Sequence, residues 1–182
     1  PFLTVAAAIA VSTAGDLIHV RPGAYPESGL TIPAGVALAG ESWQVTSVGS
    51  AAATADIITM GGGSGVSGIT VVVPSAAHAG VVHNTGTGSI FGVNIQGDGA
   101  VGIGDGIKKT GTGKLIGGSI RGEQGGLNSY ARVDAGVLAL DDFHCPQSAG
   151  TISRMVLVEG AGRWQCQGFN VGNTNVIDAL YL

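Results

Sequence analysis

An internal repeat constrains this chain more than any other feature of its sequence. The run Thr85-Gly86-Thr87-Gly88-Ser89-Ile90-Phe91-Gly92-Val93-Asn94-Ile95 nearly superimposes on the next repeat, Thr110-Gly111-Thr112-Gly113-Lys114-Leu115-Ile116-Gly117-Gly118-Ser119-Ile120. More worn copies lie at Asp134 to Phe143 and Glu159 to Phe169. The apolar residue that closes the run recurs at Ile69, Ile95, Ile120, Phe143 and Phe169, at steps of 26, 25, 23 and 26. Two further apolar series keep the same beat: Val82, Ile107, Ala131 and Val156, and Val101, Leu127, Ile152 and Ile177. Self-similarity at a nearly fixed step of this length marks a stacked array, in which each repeat buries its apolar face against its neighbours.

Each period holds three short apolar stretches bounded by Gly, Asn, Asp or Ser, which is what a coil of three strands requires. Composition agrees: 33 glycines serve many tight turns, while charged residues at 11% and aromatics at 5% are scarce. The expected fold is all-β, a single-stranded right-handed parallel β-helix of about seven coils with three strands per coil. The hand follows from the strong preference for right-handed crossovers between parallel strands. At the N-terminal end Phe2, Val5, Ala6 and Ile9 fall at helical spacing, and Ala14-Gly15-Asp16 stops the pattern. Residues 1–15 are therefore expected as a capping helix and 16–182 as one β-helix domain, a segment of a larger protein. Leu180-Tyr181-Leu182 is expected to end the stack uncovered. With Val73, Val133 and Val158 on faces expected to be polar, that end predicts a homotrimer with its coil axes along the three-fold.

Several function classes are excluded by what the chain lacks. A net charge of −4 with 8 Lys and Arg provides no basic stripe for nucleic acid, and no apolar run is long enough to span a membrane as a helix. Cys145 and Cys166 have neither a disulfide framework nor the CxxC spacing of a zinc site, and read as small buried apolar residues. Gly97-Asp98-Gly99 and Gly104-Asp105-Gly106 do not repeat in the tandem array that calcium-binding nonapeptides form. Gly111-Thr112-Gly113-Lys114 lacks the upstream glycine and following Ser or Thr of a phosphate loop, and reads as a turn. His19, His78 and His83 read as surface or turn residues, and Arg132, Lys108 and His83 as a mildly basic column. No metal and no cofactor is expected.

The repeat register turns sequence into surface, because residues flanking each inward Ile or Phe point outward and stack. The column after it reads Thr70, Gln96, Arg121, His144 and Asn170; the column before it reads Gly68, Asn94, Ser119, Asp142 and Gly168. Asp142 and His144 thus share a strand, with Arg121 and Ser119 on the coil about 5 Å below. Asp142, His144, Arg121 and Asp141 are the candidates for catalysis. Asn94, Gln96, Ser119, Arg121, Asp142, His144 and the sugar-stacking Trp43 are the candidates for carbohydrate binding. Paired carboxylates can serve acid and base roles in glycoside hydrolysis. Strand alternation, however, sends Asp141 inward or into a bend when Asp142 faces out, and pairs Asp142 with Arg121 as a surface ion pair. Trp164 shares a position with Leu115 and reads as core.

The first forty residues resemble the opening of the pectin-lyase-like right-handed β-helix superfamily, in a Thr-x-x-x-Ala-Ile helix, Gly-Asp, a strand and Pro-Gly-x-Tyr. The matching residues are Thr4 to Ile9, Gly15-Asp16-Leu17-Ile18-His19-Val20, and Pro22-Gly23-Ala24-Tyr25-Pro26-Glu27. The resemblance implies the fold and spans pectate lyases, polygalacturonases, phage tailspikes and viral fibre or surface proteins. The start Pro1-Phe2-Leu3-Thr4 looks like that of viral and microbial surface proteins. The chain departs from the polygalacturonase pattern: Asn84-Thr85-Gly86 lacks the Asp, no Gly-His-Gly is present, and Ser119-Ile120-Arg121 replaces Arg-Ile-Lys. The calcium-binding acidic cluster of pectate lyases is missing too. The functional expectation is therefore a structural and recognition module of a viral or phage fibre, spike or tail-like protein, at a virion surface or outside the cell, with a glycan or host-surface ligand. The alternatives are a polysaccharide hydrolase or lyase of the same superfamily, and a secreted adhesin-type carbohydrate-binding module.

Overall fold

Short strands of three to five residues, each closed by a turn, build the first four coils. These are β1 Leu17–Val20, β2 Gly23–Tyr25 and β3 Leu30–Ile32; β4 Ala37–Gly40, β5 Thr46–Gly49 and β6 Ile58–Met60; β7 Gly65–Ser67, β8 Thr70–Val72 and β9 Ala79–His83; and β10 Thr87–Phe91, β11 Asn94–Gln96 and β12 Asp105–Lys109. Higher up the strands run on around corners as β13 Lys114–Glu123, β14 Leu127–Gln147 and β15 Ile152–Gln167, followed by β16 Asn170–Val171 and β17 Val176–Tyr181. The structure, a computed structural model, describes residues 2–74, 76–97, 104–123, 127–147, 152–168, 170–171 and 176–181, with side chains through 144 and from 156 to 168 within these segments.

All pairings are parallel and each joins a strand to its counterpart one coil away, as the expected right-handed parallel β-helix requires. The first ladder runs β1, β4, β7, β10, β13, β14 and β15. The second runs β2, β5, β8, β11, β13, β14 and β16, and the third β3, β6, β9, β12, β14, β15 and β17. About five turns are paired on both sides, fewer than the sequence step predicts, because the first and last rungs bond on one side only.

One inward column of the third ladder is continuous: Leu30, Ile58, Val81, Ile107, Ala131 and Val156, none more than 3% exposed. Val81 rather than Val82 therefore precedes Ile107, and Val176 rather than Ile177 pairs with Ile152. In the second ladder Ile95 pairs with Val71 and Gly122, while Ile120 pairs with Phe143. Ile95, Ile120 and Phe143 are all fully buried, but Ile95 belongs to the neighbouring column. Turn length is the reason. The register step is 24 residues from Thr70 to Asn94, 26 from His83 to Lys109 and 27 from Thr87 to Lys114, and the turn Thr110 to Gly113, one residue longer than Asn84 to Gly86, adds the last of these. Val101 and Phe169 lie outside the described residues.

Phe143 sits edge-on between Tyr130 and Trp164, at centroid distances of 6.2 and 6.5 Å, and Trp164 continues the Leu115 and Leu138 column. Val73 and Val133 are fully buried and Val158 packs partly against the core, so none of the three interrupts a polar face.

The capping helix α1 is short, Val5–Ile9. Val5 enters the core and Ile9 packs against it, whereas Phe2 stays 59% exposed and Ala6 faces solvent. Its N-terminus is held twice. The Thr4 hydroxyl accepts from Ala7 N at 3.1 Å, and the Glu27 carboxylate accepts from Val5 N and Ala6 N at 2.8 Å each. Glu27 leaves the first coil just after β2, so one carboxylate ties the cap to the stack.

Candidate functional site

The corner between the first and second ladders is turned in successive coils by residues in the left-handed region: Gly68 at φ 62°, Gly92 at 58°, Ser119 at 52°, Asp142 at 54° and Gly168 at 68°. Ser119 and Asp142 are the non-glycine residues with positive φ among the described residues. Each carries a strain of about 1 kcal/mol or more that a glycine would avoid. The same geometry breaks the strand alternation, so Asp141 and Asp142 are both exposed; of the two places expected for Asp141, inward or at a bend, it takes the one at the bend.

In the second coil this corner is a longer loop, Glu41 to Val45, between β4 and β5, pinned by the Thr70 hydroxyl donating to Trp43 O at 2.7 Å. The loop carries the indole of Trp43 up the stack to Arg121, whose guanidinium carbon lies 4.9 Å from the ring centroid. Such a stack orders a long side chain that would otherwise be mobile. Between them opens a cleft of about 380 Å³ lined by Trp43, Gly92, Ser119, Ile120, Arg121, Asp142 and His144. An added Cβ at Gly92 would meet nothing closer than Gly68 N at 4.0 Å, so that glycine leaves the floor open.

The cleft unites five of the residues expected from sequence: Trp43, Ser119, Arg121, Asp142 and His144. Arg121 and His144 are direct register partners, and the Ser119 hydroxyl approaches the Asp142 carboxylate at 3.5 Å. Arg121 pairs with Glu123 at 3.3 Å, rather than with Asp142 as the column reading predicts. Asn94, not Gln96, occupies the column of Thr70, Arg121 and His144, and Gly92 takes the place expected for Asn94. Asn94 is 2% exposed and donates to Thr70 Oγ1 and Glu123 Oε2 at 3.2 Å, which makes it a brace beneath the site. Gln96 pairs one step further, with Val72 and Glu123, and does not line the cleft; neither does Asp141.

Other candidate groups are occupied elsewhere. Arg132 bridges coils, contacting Asp134 Oδ1 at 2.6 Å, Glu159 Oε2 at 2.7 Å and Asp105 Oδ2 at 3.7 Å, with Lys108 3.8 Å from Asp134. The predicted basic column is thus a neutralised network, and the bond to Asp134 raises the Arg132 pKa further. Asp105 also accepts from Asn128 and Ser129 at 2.8 Å, and no cluster of metal-ligating side chains is present among the described residues.

His83 is not a surface residue. It and its register partner Lys109 are both fully buried inside the coil. The Lys109 ammonium donates to the carbonyls of Asn84 at 3.3 Å, Thr112 at 3.2 Å, and Gly111. The turn resembling a phosphate loop therefore turns carbonyls toward a cation. Burial, then the Lys109 charge, pushes the His83 pKa down to about 4, and burial lowers that of Lys109. Cys166 is half-buried and free, its thiol pushed up by burial; the Cys145 side chain lies outside those described. Neither the His83 pair nor the Trp43 contact is marked by any spacing in the sequence. The one signal for Trp43 is the extra length between β4 and β5.

No family model matches the chain, and no curated protein matches it in sequence. Among solved structures it is similar to a pectin methylesterase from carrot, with a TM-score of 0.47 and 11% identity over 100% of this chain and 85% of that one. No catalytic or binding residue is carried over from that likeness.

Proposed function

We propose that the chain is a rigid recognition module, the β-helix portion of a surface fibre or spike, at a virion surface or outside the cell, and that the Trp43–Arg121 cleft binds glycans without turnover. The convergence of an ordered guanidinium, an aromatic ring, a carboxylate, an imidazole and a hydroxyl from stacked coils on one open cleft carries this reading. Sugars are recognised by this mixture of donors, acceptors and flat apolar surface. The volume lies near the lower end of the usual range for small-ligand sites, about 300 to 1,000 Å³. Glycan-array binding that is lost in Trp43→Ala and Arg121→Ala, without cleavage, is the expected result. Absence of binding to any glycan would refute it.

A second reading, a polysaccharide hydrolase or lyase, is favoured by the Ser119 contact to Asp142 and by the backbone strain at both residues. A turnover panel on polygalacturonate, alginate and bacterial surface glycans separates the two. Cleavage abolished by Asp142→Ala would replace the lead reading with this one.

A further inference from the structure

Resting on the glycan-binding reading, we infer that the cleft selects neutral sugars and rejects uronates, gripping a vicinal pair of hydroxyls between Asp142 and Arg121. Asp142 is an exposed carboxylate, so it only accepts; Arg121 only donates. A diol satisfies both at once, with one hydroxyl donating to the carboxylate and the other accepting from the guanidinium. A carboxylate on the ligand only accepts, so it can meet Arg121 or the Ser119 hydroxyl but has no proton to give Asp142, which repels it.

The charge around the cleft argues the same way. Arg121 is already paired with Glu123, and Asp142 and the adjacent Asp141 bring two further exposed carboxylates to this corner. Neither of these two forms an ion pair among the described residues. An anionic sugar therefore enters a locally acidic site whose single guanidinium is partly neutralised. The Arg121 guanidinium lies over one face of the Trp43 ring, so the ring orders the donor that the sugar meets.

The test compares four probes by calorimetry and saturation-transfer NMR: cellotetraose, mannotetraose, galactotetraose and tetragalacturonate. The Asp142→Asn variant suits it, because Asn tolerates the left-handed backbone that Asp142 adopts at φ 54° and only the charge is removed. At least one neutral tetraose should bind tenfold or more tightly than tetragalacturonate, and Asp142→Asn should narrow that ratio at least tenfold. Tetragalacturonate binding as tightly as the best neutral tetraose would overturn the neutral preference and leave glycan binding standing. Failure of all four to bind, together with a glycan array on which nothing binds, would overturn both.

Discussion

His83 and Lys109 place two basic side chains where the repeat calls for apolar ones, and the coil accommodates them at some cost. Gly88 provides the room, since a Cβ there would fall 2.7 Å from His83 Nε2. The ammonium is satisfied by three carbonyls, whereas neither His83 nitrogen has a hydrogen-bond partner among the described residues. With a folded pKa of about 4 against 6.5 unfolded, His83 stays neutral inside while the unfolded chain takes up a proton. Its contribution to stability is therefore complete above pH 6.5 and is lost as pH falls from 6.5 toward 4, to a total of about 3 kcal/mol. Urea melts at pH 7 and pH 4.5 should show this, and His83→Leu should flatten the dependence by about 2 kcal/mol or more. An unchanged slope in the variant would show that His83 does not govern it.

At the scale of elements, α1 is too short to be stable alone and depends on its ties. The Glu27 carboxylate supplies two charge-assisted bonds to helix amides, and its loss should cost about 2 kcal/mol. Glu27→Ala should lower the urea midpoint and speed amide exchange at Val5 and Ala6, with exchange in β12 following only the global change. Unaltered exchange at those amides would mean that Thr4 suffices as the cap. The left-handed corner behaves in the opposite sense. Ser119→Gly should relieve strain and leave stability equal or higher, while weakening any ligand the hydroxyl contacts.

Across the whole molecule, stability rests on columns that pass through every coil, so a defect in one rung is felt by its neighbours. Phe143 touches aromatic rings on both sides, and Phe143→Ala should cost about 3 to 5 kcal/mol in chemical denaturation. For assembly, the burial of Val73 and Val133 removes two grounds for a trimer. A different ground is the outer face of the first ladder, where Leu17, Ile116 and Phe91 are exposed among small residues such as Ala37, Ser67 and Ser89. We propose that this face forms the contact of the homotrimer. Light scattering should give three times the mass of one chain, and Phe91→Glu with Ile116→Glu should return the monomer. A mass that stays at that of a single chain at every concentration would refute it.

The sequence alone determined the parallel three-strand coil, because an inward apolar residue must recur once per turn wherever strands stack. It also determined the polar group Ser119, Arg121, Asp142 and His144, since these lie on one strand pair whose register the repeat specifies directly. Tertiary structure decided what depends on turn length and corner geometry. Unequal connections, which give a step of 24 residues below β11 and 27 above it, moved Ile95 and Asn94 to other columns, which no count of average period reveals. The left-handed φ at Asp142 reset the alternation and exposed Asp141, because one residue outside the extended region reverses the facing of its neighbours. Trp43 reached Arg121 only because its loop folds across coils, and Lys109 became a core residue only because carbonyls from the adjoining turns close around it. Inward apolar period is a local property and can be read along the chain. The partners of a polar group come from other coils, and the fold alone brings them within reach.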